Sequence, residues 1–151
     1  MKLEPLMTYR ADLKPAVEVG KGPFGTRSIH DVTGGIAKGP RISGKLLPSG
    51  ADWLLVDESG LGRLDVRGTL ETDDGAHIYI YYHGVLELNE KVVGALGRGE
   101  GTEFGDTYFM TQPRFETGDL RYDWLNRIVA VAEGRVLPNA VEYRVFQLVN
   151  D

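Results

Sequence analysis

Along most of this 151-residue chain fewer than ten residues pass without a glycine or proline, and between them apolar residues alternate with polar ones instead of recurring at three and four. That pattern starves long helices and favours short, half-buried strands joined by tight turns. Twenty glycines and seven prolines make up about 18% of the residues, against an average near 12%. Hydrophobic residues still stand at 42%, so the punctuation accompanies a full core complement and argues against disorder. The expected fold is all-β and a single domain over residues 1–151. Strands are expected near 3–13, 16–19, 26–32, 41–46, 52–57, 62–72, 76–83, 85–90, 106–115, 127–133 and 140–149, a spacing that means sandwich or barrel. The run Leu120–Asn126 is the one short helical candidate. It needs Trp124 and Leu125 packed on the sheet to persist, which would let it plug a barrel end. Residues 94–106, with five glycines, read as a mobile rim loop.

Composition removes several kinds of chemistry. With 17 basic and 22 acidic residues, a net charge of −5 and no basic block, the chain lacks the positive footprint that nucleic acid requires. No cysteine is present, so disulfides, thiolate metal sites and cysteine nucleophiles are excluded together. The first dozen residues carry charges and a proline with no long apolar run, so neither a signal peptide nor a membrane anchor is expected there and a cytoplasmic location is the default. The three histidines, His30, His77 and His83, do not make the His-x-His pair of a metal-binding barrel. His77 and His83 lie roughly 20 Å apart along one strand at about 3.3 Å per residue, too far to grip one ion. Gly97–Gly101 has glycines but no following helix to bind phosphate. None of Ser28, Ser43, Ser49 or Ser59 sits in a Gly-x-Ser-x-Gly elbow. No metal and no cofactor are expected.

One hairpin register is decidable. If Asp73-Asp74-Gly75 form a three-residue loop with Gly75 in the left-handed conformation, the flanking strands segregate cleanly. One face then carries Leu64, Val66, Gly68, Leu70, Ala76, Ile78, Ile80 and Tyr82. The other carries Asp65, Arg67, Thr69, Glu71, His77, Tyr79, Tyr81 and His83, with Asp65 opposite His83 and Arg67 opposite Tyr81. A two-residue loop would mix the faces and send polar groups into the core. Two readings of the polar face stay open: an ordinary solvated surface of cross-strand pairs, or the lumen of a barrel in which an acid, an arginine, tyrosines and histidines converge on a ligand.

The stretch GGIAKGPRISGKLLPSGADW (Gly34–Trp53), followed by LDVRGTLETDDGAHIYI (Leu64–Ile80), YFMTQPRFE (Tyr108–Glu116) and RYDWLNRIV (Arg121–Val129), resembles domain of unknown function 3237, the UPF0311 family of bacteria and fungi, over nearly the whole chain. The resemblance implies a closed antiparallel β-barrel of about 8–10 strands, similar to allene oxide cyclase and dirigent proteins, which guide reactive intermediates in a lumen without metal or organic cofactor. It supplies no activity. Asp52-Trp53, Arg67 and Tyr122, Trp124 and Asn126 match the family's recurrent polar and aromatic positions.

The expected function is therefore a cofactor-independent isomerase, cyclase or lyase that moves protons on an apolar or aromatic metabolite. Asp65, oriented by His83, would move the proton, Arg67 and Tyr81 would stabilise the developing enolate, and Asp52 stands in reserve as acid or base. Trp53, Tyr79, Tyr122 and Trp124 are the candidate ligand-contacting aromatics, with core plugs as the other reading of both tryptophans. From a different class, a lipocalin-like carrier would bind the same ligand without chemistry, and a scaffold would show a filled barrel. The expected partners are a small-molecule ligand and, as an open alternative, a second copy in a homodimer, with neither nucleic acid nor membrane.

Overall fold

In the computed structural model, which describes residues 1–151, the chain runs through β1 (Lys2–Leu13), β2 (Val17–Gly22), β3 (Gly25–Lys38), β4 (Ser43–Leu46), β5 (Ala51–Val56), β6 (Leu61–Thr72) and β7 (His77–Glu87). It continues through helix α1 (Glu90–Gly97), β8 (Phe109–Glu116), a 3-10 segment (Leu120–Arg127), β9 (Ala130–Leu137) and β10 (Ala140–Val149). All pairings are antiparallel, and β1 closes the sheet by pairing β10 on one side and β3 on the other. β1 and β2 lie end to end along β3, while β4 and β5 lie end to end between β3 and β6. Ten strands thus fill eight positions of a closed barrel, in which the β8–β9 ladder is short. No helix is long and apolar enough to cross a membrane.

The 73–75 hairpin adopts the three-residue loop. Gly75 has φ +91°, Thr72 N–H donates to the Ala76 carbonyl at 2.9 Å, and Asp65 faces His83 while Arg67 faces Tyr81. Alternation then sends Leu64, Val66, Leu70, Ile78, Ile80 and Tyr82 into the barrel, where they join a core of 26 buried residues. Each such side chain contributes roughly 1.5–3 kcal/mol through removal from water.

Three expectations are corrected. No separate strand runs over 85–90: β7 continues to Glu87, and Asn89 then caps α1 by accepting the Val92 N–H at 3.1 Å. The run read as a loop from residue 94 begins inside α1, whose Val92 and Ala95 are buried. The far end of that run is tied down, with Thr102 N–H donating to the Val136 carbonyl at 2.8 Å and the Thr102 hydroxyl accepting from Val136 N–H at 3.1 Å. Glycine spacing hid this helix because its stability comes from packing over the barrel mouth, not from intrinsic propensity.

The 3-10 segment plugs the opposite end, burying Tyr122 and Leu125. It is held at three points. The Tyr122 hydroxyl donates to both Asp74 carboxylate oxygens at 2.8 and 2.9 Å, the Asn126 side chain bonds the Thr117 N–H and carbonyl at 2.8 and 2.9 Å, and the Arg41 guanidinium lies 3.6 Å over the Trp124 ring.

Candidate functional site

Between the two ends the interior is aromatic. Tyr9, Tyr82, Tyr143 and Phe109 are all buried. The Tyr82 hydroxyl donates to that of Tyr143 at 3.2 Å, and the Tyr9 and Tyr143 rings stack with centroids 5.8 Å apart. Burial pushes the hydroxyls of Tyr9, Tyr82 and Tyr143 well up, and the Asp52 carboxyl adds to the rise in Tyr82 and Tyr143, so all three tyrosines stay neutral.

Above this layer the barrel opens into a pocket of about 270 Å³ beneath α1. Leu54, Leu64, Leu86, Val92, Phe109 and Val136 wall it, and Asp52, His30, Lys14 and Asn139 supply polar groups. Asp52 and His30 stand directly opposite each other on β5 and β3, and Asp52 is likewise opposite inward-facing Val66 of β6. The β5–β6 ladder lapses between the Asp52–Val66 and Leu55–Arg63 pairs. There an Asp52 carboxylate oxygen accepts the Asp65 backbone N–H at 3.2 Å, and Arg27 donates to the Trp53 carbonyl at 2.7 Å.

Burial pushes the Asp52 carboxyl up to about 7. The Asp65 carboxylate adds to the rise, while the Asp65 N–H and the Arg27 charge oppose it. His30 is shifted the other way: burial holds its pKa below the usual imidazole value, against the pull of Glu18, and its Nε2 lies 3.2 Å from the Ser28 hydroxyl. An acid raised toward neutrality beside a base kept neutral is the arrangement that proton transfer in an apolar site calls for. The structure brings no three His, Cys, Asp or Glu side chains together as a metal site.

The remaining sequence candidates lie elsewhere. Asp65 and His83 do pair, at 3.4 Å, but on the outer face with side chains 49% and 68% exposed. Arg67 is exposed beside them. The lumen reading of that face fails for the reason that settled the register: the apolar set alternating with it fills the barrel. Tyr79 and Tyr81 stack at 5.5 Å on the same outer face, with Arg114 donating to the Tyr81 hydroxyl at 3.4 Å. Trp53 points outward. Tyr122 and Trp124 belong to the plug. Of the named candidates only Asp52 lines the mouth pocket. His30, considered only as a metal ligand, and α1 were missed. Alternation from Asp52 across β3 would have found His30, but only with the β3–β5 register in hand.

Fold and site together define a small closed β-barrel with an apolar, carboxyl-bearing mouth. Residues 1–148 match the family described as Protein of unknown function (DUF3237), and the chain belongs to that family. UPF0311 protein RPA1785 from Rhodopseudomonas palustris is 36% identical over 91% of this chain and 88% of that protein. Its crystal structure superposes with a TM-score of 0.90 over 99% of both chains. A beta-barrel like protein from Acinetobacter baumannii is 38% identical, with a TM-score of 0.84 over 98% of this chain and 96% of its own. An enzyme from Penicillium herquei, 22% identical, shares the fold with a TM-score of 0.72 over 98% and 94%.

Proposed function

We propose that this barrel takes a small apolar or aromatic metabolite into the pocket beneath α1 and moves protons on it with its own side chains, as an isomerase, cyclase or lyase would. The observation that carries the reading is the Asp52 carboxyl, its pKa raised to about 7 in a pocket walled mainly by leucine, valine and phenylalanine. Near pH 7 its protonated and ionised forms are both populated, so it accepts a proton from an acidified carbon or delivers one without a large penalty either way. Neutral His30, on the neighbouring strand, offers a second position for the same proton or for one on the ligand's oxygen. Leucine and valine walls keep water from competing for the proton. The chemistry needs no metal or organic cofactor. That a Penicillium herquei barrel of this fold is an enzyme supports the reading only by analogy.

A carrier without catalysis is the second reading, favoured by the apolar lining. Deuterium uptake separates the two. Small cyclic ketones and enones are screened for binding by thermal shift, then incubated with the protein in D₂O. Catalysis predicts deuterium incorporation next to the carbonyl that follows an ionisation near pH 7 and is lost in Asp52→Asn, which still binds. Binding without incorporation in the wild type leaves the carrier. No binding by any compound, with no small molecule retained in native mass spectrometry, overturns both.

A further inference from the structure

The outer surface of this barrel has two unlike sides. Across β6 and β7 it carries Asp65, Arg67, Glu71, His77 and His83. Across one end of β9, β10 and β1 it is apolar: Val131 stands opposite Phe146, Phe146 opposite Pro5, and Leu148 opposite Leu3, and the Val129 carbonyl accepts the Leu148 N–H at 2.9 Å. The other end of the same strands carries the ion pairs Arg144–Glu133, Arg135–Glu142 and Arg10–Asp12. Leu3 is 54% and Val129 63% exposed. An apolar patch running over adjacent strands of an outer sheet face is the mark of an interaction surface.

We infer that this face pairs with the same face of a second copy of the chain, making an isologous dimer. Charge and shape favour that occupant. The chain's net charge of −5 opposes self-association in general, but the patch is bordered by balanced charge. The groove on one flank, about 680 Å³, has Arg63 and Glu133 as its charged lining, with His83 beside them. Each is paired, with Asp57 at 3.4 Å, Arg144 at 3.4 Å and Asp65 at 3.4 Å. The groove on the other flank, about 920 Å³, carries one arginine and one glutamate, Arg114 and Glu116. Such a border neither repels its own copy nor steers an acidic or basic partner.

In shape, the protruding Leu3 and Val129 stand beside hollows that Val131 helps to line on both flanks. In a two-fold contact over this face the exposed Leu3 and Val129 of one copy would be set against the same apolar patch of the other. The second groove also lies where β8 and β9 part company. Their ladder holds only Met110–Glu133 and Thr111–Ala132, so Gln112–Glu116 lacks a strand partner on that side, and a copy seated there would cover that edge.

Sedimentation equilibrium of the full chain tests this. The wild type is expected at twice the chain mass. Val129→Glu and Leu3→Glu, both at exposed positions where folding is retained and checked by circular dichroism, are expected to weaken the dimer about 30-fold or more. Arg67→Met, on the charged side, should leave it unchanged. A monomer at all concentrations overturns the proposal, as does a dimer that neither glutamate weakens. A monomer that floats with neutral lipid vesicles would assign the face to lipid and also overturn it.

Discussion

Asp52 and His30 face each other across β5 and β3, both turned into the mouth, and burial shifts them in opposite directions: the carboxyl up, the imidazole down. Burial disfavours the charged form of each, although the Asp52 carboxyl keeps one stabilising contact, the Asp65 N–H at 3.2 Å.

The Asp52 contribution to stability should therefore fall as pH rises. The folded-state pKa of Asp52, about 7, lies above its ordinary value of 3.8, so between those values the folded chain holds a proton that the unfolded chain has released. Stability lost over that interval is about 2–4 kcal/mol, with no further change above it. Asp52→Asn, which keeps the shape and the acceptor for Asp65 N–H, should match the wild type near pH 4 and exceed it by that amount near pH 8. Urea denaturation at the two pH values reads the difference.

Arg67→Met addresses the outer face. Because Arg67 is exposed and opposite Tyr81 on the outside of β6 and β7, its loss strands no buried acid. Denaturation midpoints at pH 5 and pH 8 should stay within about 0.5 kcal/mol of wild type. A pH-dependent defect larger than that would mean Asp65 is buried with it.

Two glycines separate conformational strain from steric overlap. At Gly75, φ +91°, a β-carbon would meet nothing within 4 Å, so Gly75→Val should cost about 1–3 kcal/mol from backbone strain alone. At Gly50, φ +88°, a β-carbon would overlap the Arg67 carbonyl oxygen. Gly50→Ala should cost more than Gly75→Val despite adding fewer atoms, and thermal unfolding of the pair reads the order.

Acid should loosen the plug. Hydrogen bonds from Thr72 and then Tyr122, with help from Arg121, hold the Asp74 carboxyl below the usual carboxylate value. A depressed pKa contributes stability above the ordinary value that is lost as pH falls through the lowered one. Tyr122→Phe removes one of these donors, so amide exchange at Leu125 should quicken at pH 7. As pH falls through the lowered Asp74 value and the carboxyl is protonated in both proteins, variant and wild type should converge.

How far the sequence reached is clearest at the 73–75 hairpin. Segregation of Leu64, Val66, Leu70, Ile78 and Ile80 from Asp65, Arg67, Glu71 and His77 picked the register, because a one-residue slip inverts every side chain. The plug over 120–127 was legible for a similar local reason, its aromatic residues having nowhere to pack except the sheet. Helix α1 was not legible: with Gly94 inside it and Gly97 at its end, it stands because Val92 and Leu96 cover the pocket.

The amino-acid sequence by itself determined the strand content, the hairpin pairing and the absence of thiol chemistry, since each depends on residue identity and near neighbours. Which face became the lumen was decided by tertiary closure. A strand's two faces are distinguished locally only by polarity, and polarity allows either a polar lumen or a polar exterior until β1 meets β10 and the interior volume must be filled. Once Leu70, Ile78, Ile80 and the three tyrosines occupy that volume, Asp65, Arg67, Tyr81 and His83 are left outside. Asp52 stays within because it rides on β5 opposite His30 and Val66, pairings between strands that the sequence alone does not bring together.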